Sequence, residues 1–251
     1  MVQANRMLAL RLFGVPQAKA QAVLKAAAAQ GCPGLRLLSR EEELVVCVNV
    51  RADSEAEASR ICKQWNEYFR EQFGPAVFGE GDTELAKAAL TGLAKKHKLF
   101  VAADEATGHL LEARIRNEQA AAAVYDFGDH SYRHPTKADR LAPPRALLDK
   151  YPDCPVQPAA GRARQALALS GADWAVSYQP AQGVQPGFVL VCGAKTVYLH
   201  ALPPSAQPGM LAANWIMDMQ RRLALGLEMA QGVQSFAYGK PAPVLPVLQT
   251  P

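Results

Sequence analysis

The amino-acid sequence predicts an α/β protein of two domains. Over residues 7–79, strand-like and helix-like segments follow the order β-α-β-β-α-β, which is typical of a small split α/β unit. A turn-rich stretch, Gly79-Glu-Gly-Asp82, comes next, and a second series of helices and strands begins after it. A length of 251 residues is enough for two small domains. We therefore predict domains over residues 1–80 and 81–231, followed by a proline-rich tail over 232–251.

The elements of the first domain are predicted from apolar spacing and from helix-ending signals. Residues 17–30 are rich in alanine, a strong helix former, and Gly31 and Gly34 follow as turn residues that end the helix. Ile61, Trp65 and Phe69 recur at helical spacing and should face the core. The predicted elements are strands at 7–15, 35–38, 44–50 and 76–78, and helices at 17–30 and from 53 to about 73.

The second domain shows the same two signals over a longer stretch. A cap at residues 82–84 opens its first helix, and Leu85, Ala89 and Leu93 form one apolar stripe. The five prolines of residues 142–158 predict a loop or a broken helix. The predicted elements are helices at 82–97, 105–118, 160–170 and 210–230, and strands at 99–102, 173–178, 188–192 and 196–202.

Composition excludes several classes of protein. The apolar share of 49% and charged share of 20% are ordinary for a packed soluble chain. The five cysteines form no C-x-x-C pair, so a disulfide framework and a structural zinc site are not expected. The N-terminus lacks the layout of a signal peptide, and no stretch approaches the ~20 apolar residues of a membrane span. We expect a cytoplasmic protein with no membrane partner.

Two features that resemble nucleic-acid signals have structural explanations. The net charge of +4 is only mildly basic, and the basic cluster at residues 95–98 falls at a predicted helix C-terminus, where cations suit the helix dipole. The G-x-x-G of residues 31–34 joins a helix to a strand and contains no lysine or arginine. A loop that clamps a nucleic-acid backbone joins two helices instead, so no nucleic-acid partner is expected.

The most informative stretch is residues 99–109, where a short buried strand runs through an acidic turn into a helix. Such a strand-to-helix elbow exposes the unpaired N–H groups of the helix N-terminus, which favour an anion. In hydrolases this turn often carries a serine or cysteine nucleophile, which is missing here.

This elbow and three other segments resemble the CinA (competence/damage-inducible) family. Family members carry Ala-Glu-Ser-Cys-Thr-Gly-Gly at the elbow, where this chain has residues 103–109. The family's Tyr-Ser-Asn, two residues and Lys resembles residues 132–137, and its Gly-Ala-Asp strand and Pro-Val-Gly strand resemble residues 171–177 and 186–190. Residues 7–80 are similar to the KH-like middle domain of full-length members, and residues 82–230 to their C-terminal nicotinamide-mononucleotide amidohydrolase domain. The N-terminal molybdopterin-binding-like domain of those members has no counterpart.

The resemblance implies a Ser–Lys dyad in active members, in which the lysine takes the serine proton and the alkoxide attacks the amide. Transferred to this chain, Lys137 falls at the base position with Tyr132 beside it, and Glu105 falls at the nucleophile position. Thr107 and Gly108 fall at the ligand-binding helix start. Gly183 retains one glycine of the family's substrate loop. His109 replaces the second glycine of the elbow and adds bulk near the substrate position.

Three interpretations of Glu105 remain open from the residues alone. It could form an ion pair with Lys137, which would keep the lysine protonated. It could also be a helix N-terminal acid with His109 one turn further on. A divalent metal held by acidic and histidine side chains is a third possibility, although their spacing matches no known ligand motif. The candidates are Glu105, His109, Asp129, His130 and His134.

The resulting expectation is a CinA-family protein with a degenerate amidohydrolase domain. It would be non-catalytic, either binding a nucleotide-derived small molecule or acting as a regulatory or structural partner, with no cofactor. The resemblance also implies a homodimer. The alternative is an active nicotinamide-nucleotide amidohydrolase that hydrolyses a linear amide in pyridine-nucleotide salvage.

Overall fold

The computed structural model describes residues 4–40, 43–125 and 154–246. The chain divides into two compact units. The first comprises residues 1–88 and 227–231, and the second comprises residues 89–226 and 232–251.

The first unit has the β-α-β-β-α-β order predicted from the sequence. Its four strands form one antiparallel sheet in the order β2-β3-β1-β4. This order is that of a split β-α-β unit, in which each helix connects strands that are not adjacent. The elements are β1 (Ala4–Leu12), α1 (Gln17–Ala29), β2 (Leu35–Arg40), β3 (Glu43–Ala52), α2 (Glu55–Phe73) and β4 (Val77–Glu80).

The core of the first unit lies between one face of this sheet and the apolar stripe of α2. Alternate residues of a strand point to the same face, and the buried leucines of β1 and valines of β3 follow that period of two. The α2 side chains that meet them are spaced three or four residues apart, as one helix face requires. The core residues are Leu8, Leu10, Leu12, Val46, Val48, Val50, Trp65, Phe69 and Phe73.

The glycines at 31 and 34 have the structural role that the sequence predicts. The helix α1 ends at Ala29, and Gly31 follows with a φ of 85°. Gly34 has a φ of 53°, and a Cβ atom there would lie 2.6 Å from the carbonyl oxygen of Asn49. Gly34 therefore allows the turn to approach β3 closely, whereas Gly31 faces open space.

This difference gives a matched pair of substitutions. Gly34→Ala combines an unfavourable left-handed backbone with a steric clash and should destabilise the protein by about 2–4 kcal/mol. Gly31→Ala carries only the backbone cost and should lose about 1–2 kcal/mol. Urea unfolding of the two variants measures both values. Equal losses would show that the approach of residue 34 to β3 is unimportant.

The second unit contains a five-stranded sheet in the order β5-β6-β7-β8-β9. The β5–β6 pair is parallel and the other pairs are antiparallel. The strands are β5 (Phe100–Ala102), β6 (Trp174–Gln179), β7 (Phe188–Cys192), β8 (Thr196–Ala201) and β9 (Gln234–Ala237). The helix α3 (Leu85–Lys95) begins in the first unit and continues into the second. The other helices of the second unit are α4 (Glu105–Ile115), α5 (Ala121–Val124), α6 (Val156–Ser170) and α7 (Pro208–Leu225).

Three features of this unit differ from the sequence prediction. The helix α7 ends at Leu225 rather than at residue 230, because Gly226 follows as a left-handed C-cap. The helix α6 begins at Val156, although residues up to 158 were predicted as a loop or a broken helix. Pro158 lies in the first turn, where a missing N–H costs no helical hydrogen bond. Residues 234–237, which the prediction assigned to the tail, pair with β8 as the strand β9. This strand is only four residues long and two of them, Gln234 and Ser235, are polar, so the sequence gives little indication of a strand.

Helices cover both faces of the second sheet. The helix α6 packs its alanine-rich face on one side, against Ala175, Leu190 and Leu199. The helix α7 packs on the other side, with α4 beside it. The alanines at 159, 160 and 163 are fully or almost fully buried, and their small size lets α6 approach the strands closely. Among the helices that the structure describes, no segment is long and apolar enough to cross a membrane.

One buried histidine lies between the sheet and α7. His200 of β8 is 8% exposed, and its ring stacks on Trp215 with centroids 3.5 Å apart. Burial lowers the pKa of His200 from 6.5 to about 4, against a smaller opposing effect of a backbone hydrogen bond with Gly232. His200 is therefore neutral in the folded protein at pH values where an unfolded histidine is protonated.

This pKa makes stability depend on pH in a defined window. Between pH 6.5 and about 4 the unfolded state binds more protons than the folded state, so stability should fall as the pH falls and then level off. The full effect of the shift is about 3 kcal/mol. Urea unfolding at a series of pH values measures it. The His200→Phe variant keeps an aromatic ring on Trp215 and should lack this component, and an unchanged pH profile in that variant would refute the assignment.

Candidate functional site

The elbow between β5 and α4 is built from two backbone features. Ala103 continues the parallel pairing beyond β5, because its N–H donates to the carbonyl of Val176 over 2.8 Å. Asp104 then adopts an extended conformation, with φ −153° and ψ 163°, and caps the N-terminus of α4. The chain therefore passes from β5 directly into the N-terminus of α4, next to the end of β6.

The carboxylate of Asp104 holds the elbow to β6. Its Oδ1 accepts hydrogen bonds from the backbone N–H and from the hydroxyl of Thr107, both over 2.8 Å. Its Oδ2 accepts a third from the hydroxyl of Ser177 over 3.0 Å. The Oγ1 of Thr107 in turn accepts the N–H of Tyr178 over 2.9 Å. One acidic side chain thus connects the first turn of α4 with the end of a strand 73 residues further along the chain.

Both hydroxyls of this network are shielded from solvent. Thr107 and Ser177 are each 0% exposed. An ionised carboxylate can only accept hydrogen bonds, so both hydroxyl protons point at Asp104. Neither hydroxyl is available to attack a substrate unless the network opens.

Glu105 lies beside this network and points away from it. Its side chain is 56% exposed and lies 3.3 Å from His109, one turn further along α4. This arrangement matches the prediction of a helix N-terminal acid with His109 as its neighbour. The predicted partner Lys137 lies outside the described residues, so the ion pair between Glu105 and Lys137 remains a prediction.

The other predicted site residues fall in three places. Gly108 is buried in the first turn of α4, where its N–H donates to the carbonyl of Asp104 over 3.0 Å. Gly183 lies in the β6–β7 loop with a φ of 57°, inside a turn closed by Gln182 and Gln185. The rest lie outside the described residues. They are Tyr132 and Lys137, together with Asp129, His130 and His134 of the metal hypothesis.

The described part of the chain contains no group of three or more histidine, cysteine, aspartate or glutamate side chains that could hold a metal. Glu105 and His109 form a pair only. The thiol of Cys192 in the sheet core is not a reactive nucleophile, because burial raises its pKa to about 12.

Asp104 and Ser177 hold the elbow together, and the sequence reasoning did not identify either role. An aspartate directly before a helix is a common N-cap residue, and this signal could have identified Asp104. Ser177 carries no such signal, because its partner comes from a distant part of the chain.

Hydrogen bonds to a second aspartate, Asp173, link the chain at the opposite end of the β5–β6 pair. Asp173 accepts a hydrogen bond from Lys98 Nζ over 2.7 Å and another from the N–H of Leu99 over 2.9 Å. Burial alone would raise the pKa of Asp173, but these two donors outweigh it and hold the pKa below its ordinary value. Lys98 belongs to the basic cluster of residues 95–98, so part of that cluster has a structural role.

The neighbouring carboxylates 104 and 105 provide a test of this geometry. Asp104→Ala removes a cap and leaves two buried hydroxyls without their acceptor, so it should destabilise the protein by about 2–4 kcal/mol. Glu105→Ala removes an exposed acid and should cost about 0.5 kcal/mol. Chemical denaturation measures both.

A double-mutant cycle of Asp104→Ala with Ser177→Ala adds a specific readout. The combined loss should be smaller than the sum of the two single losses, because both variants break the same hydrogen bond. Additive losses would contradict the Asp104–Ser177 contact.

Comparison with known proteins places this elbow in a family. A family model described as the CinA C-terminal domain matches residues 82–189, which include Asp104, Thr107, Ser177 and Gly183. Residues 82–189 are therefore similar to the CinA C-terminal domain, and this agrees with the resemblance inferred from the motifs.

The curated relatives that this chain matches are distant in sequence. A CinA-like protein of Dictyoglomus thermophilum is 29% identical over 47% of this chain and 29% of its own length. A putative competence-damage inducible protein of Halalkalibacterium halodurans is 26% identical over 72% of this chain and 45% of its own length. The chain therefore spans less than half the length of these two relatives.

A solved structure shows a similarity of limited extent. It is a competence-damaged protein (CinA) superfamily protein from Klebsiella pneumoniae, with 14% identity and a TM-score of 0.43. The match covers 57% of this chain and 96% of that chain.

Proposed function

We propose that this CinA-family protein has lost amidohydrolase activity and acts as a non-catalytic binder of a nucleotide-derived ligand or as a regulatory or structural protein. One observation carries the proposal. At the elbow, the position that corresponds to the nucleophile in the family motif holds the exposed Glu105, while the hydroxyls of Thr107 and Ser177 are buried and bonded to Asp104.

The chemistry of Glu105 supports the loss of activity. A carboxylate that attacks an amide forms a mixed anhydride, which is a far less favourable intermediate than the ester formed by serine. The carboxylate of Glu105 also lies 3.3 Å from the ring of His109, which is on the same helix. Replacing a residue that acts as part of a catalytic unit costs orders of magnitude in rate.

The two buried hydroxyls do not supply a substitute. Attack by Thr107 would require its hydroxyl to leave Asp104 and would also leave the N–H of Tyr178 without an acceptor. Attack by Ser177 would require a similar break and access to a fully buried atom. Each buried polar group left without a partner costs about 1–3 kcal/mol, so these openings are unfavourable.

The ligand-binding part of the proposal rests on the retained helix start. The N-terminus of α4 carries a partial positive charge that favours an anionic group. Glu105 opposes an anion there unless a cation neutralises it. The family resemblance places Lys137 near this helix start, which makes its amine the candidate for this neutralisation.

The proposal predicts no hydrolysis of nicotinamide mononucleotide. Ammonia release by the purified protein should not exceed the blank, while an active CinA-family amidohydrolase serves as the positive control. Turnover that disappears in the Lys137→Ala variant would refute the proposal and establish the alternative, an active nicotinamide-nucleotide amidohydrolase.

A double variant, Glu105→Ser with His109→Gly, tests how much of the ancestral site is retained. Calorimetric titration with the mononucleotide accompanies the ammonia assay, and Glu105→Gln with His109→Gly is the matched control without a nucleophile. Binding by both variants with turnover only in the serine variant would support a ligand site whose nucleophile alone is lost. Absence of binding in both would favour the regulatory or structural role.

A further inference from the structure

The second unit contains an apolar cavity of about 380 Å³ that the proposed function does not use. Three segments line it: the start of α6, the end of the β6–β7 loop and the segment 241–246 that follows β9. One side of the cavity is open to solvent, where Val184 and Val244 are exposed. Ligand cavities in proteins are commonly about 300–1,000 Å³ and mostly apolar, so this one is of a size that suits a small molecule.

Proline is the commonest residue in the wall of the cavity. Proline has no side-chain rotamer freedom to lose when a ligand binds, and its backbone φ is fixed in advance. A preformed wall of this kind reduces the entropic cost of binding. The prolines that line the cavity are Pro155, Pro186, Pro241, Pro243 and Pro246.

The segment 241–246 is fixed to the unit at several points. Gln157 of α6 donates its side-chain N–H to the carbonyl of Lys240 over 2.8 Å. Ala242 and Leu245, three residues apart, pack against the core of the unit. These contacts make the segment part of the cavity wall rather than a loose end.

The cavity also selects against charged ligands. Among the described residues that line it, none is charged, and the polar groups are the amide of Gln185 and the weakly hydrogen-bonding thiol of Cys154. An ion that left water for this cavity would find no compensating charge, whereas an apolar ring would gain from burial. The amide of Gln185 can serve one polar atom of a ligand at the rim.

We propose that this cavity is a binding site for a small, uncharged, fused-ring molecule of about ten non-hydrogen atoms. An apolar cavity of about 150 Å³ already accepts benzene, so the larger space here suits two fused rings. A mononucleotide is excluded by its phosphate charge. The cavity is thus a separate site from the elbow, and its occupation does not depend on the proposed function.

Indole and indole-3-carboxylate are the probes for this site, because they share a ring system and differ in charge. Calorimetry and ligand-observed nuclear magnetic resonance with the full chain should give saturable binding of indole with a Kd below about 1 mM. Binding of the carboxylate should be at least tenfold weaker. Absence of saturable indole binding, or equal binding of the two probes, would overturn the proposal.

Surface substitutions locate the binding. Val184 and Val244 line the cavity and are 56% and 89% exposed, so Val184→Asp and Val244→Asp should fold and should each weaken indole binding at least tenfold. Leu169→Asp is the matched control, because Leu169 is also an exposed apolar residue of this unit and does not line the cavity. Indole binding that survives both valine substitutions, or that is lost equally in the control, would refute the assignment.

Discussion

The second unit depends on the carboxylate of Asp104. This side chain accepts three hydrogen bonds, two from the first turn of α4 and one from the end of β6. Hydrogen bonds to an ionised acceptor are stronger than those between neutral groups, and burial strengthens them further. The strand-to-helix elbow is therefore fixed by one acid that satisfies a helix terminus and joins two parts of the chain.

Asp104 and Glu105 are adjacent acids with different roles. Asp104 has an extended backbone, so its carboxylate folds back over the helix N-terminus and is drawn into the network. Glu105 is the first helical residue, and its side chain projects to solvent beside His109. The elbow keeps its fold because the cap residue Asp104, and not Glu105, holds the N-terminus of α4 to β6.

The sequence was most informative where the signal was local. The order of the first six elements, the helix end at residues 30–34 and the strand–turn–helix at 99–109 all follow from apolar spacing, caps and glycines within a few residues. The strand β9 was missed because a segment of only four residues, two of them polar, becomes a strand only through pairing with β8. The role of Ser177 was missed for the same reason, since its partner lies 73 residues away. The N-terminus of α6 was placed too late because proline was read as a breaker, although the first turn of a helix accepts it.

The account predicts that both hydroxyl protons of the elbow are held by Asp104, and their exchange with water measures this most directly. In nuclear magnetic resonance spectra of the full chain, the hydroxyl protons of Thr107 and Ser177 should exchange slowly enough to be observed, unlike that of the exposed Ser54. Both signals should disappear in the Asp104→Ala variant. Hydroxyl protons at Thr107 and Ser177 that exchange as fast as that of Ser54 in the unmodified protein would contradict the account, because an accessible hydroxyl at the elbow would again be available as a nucleophile.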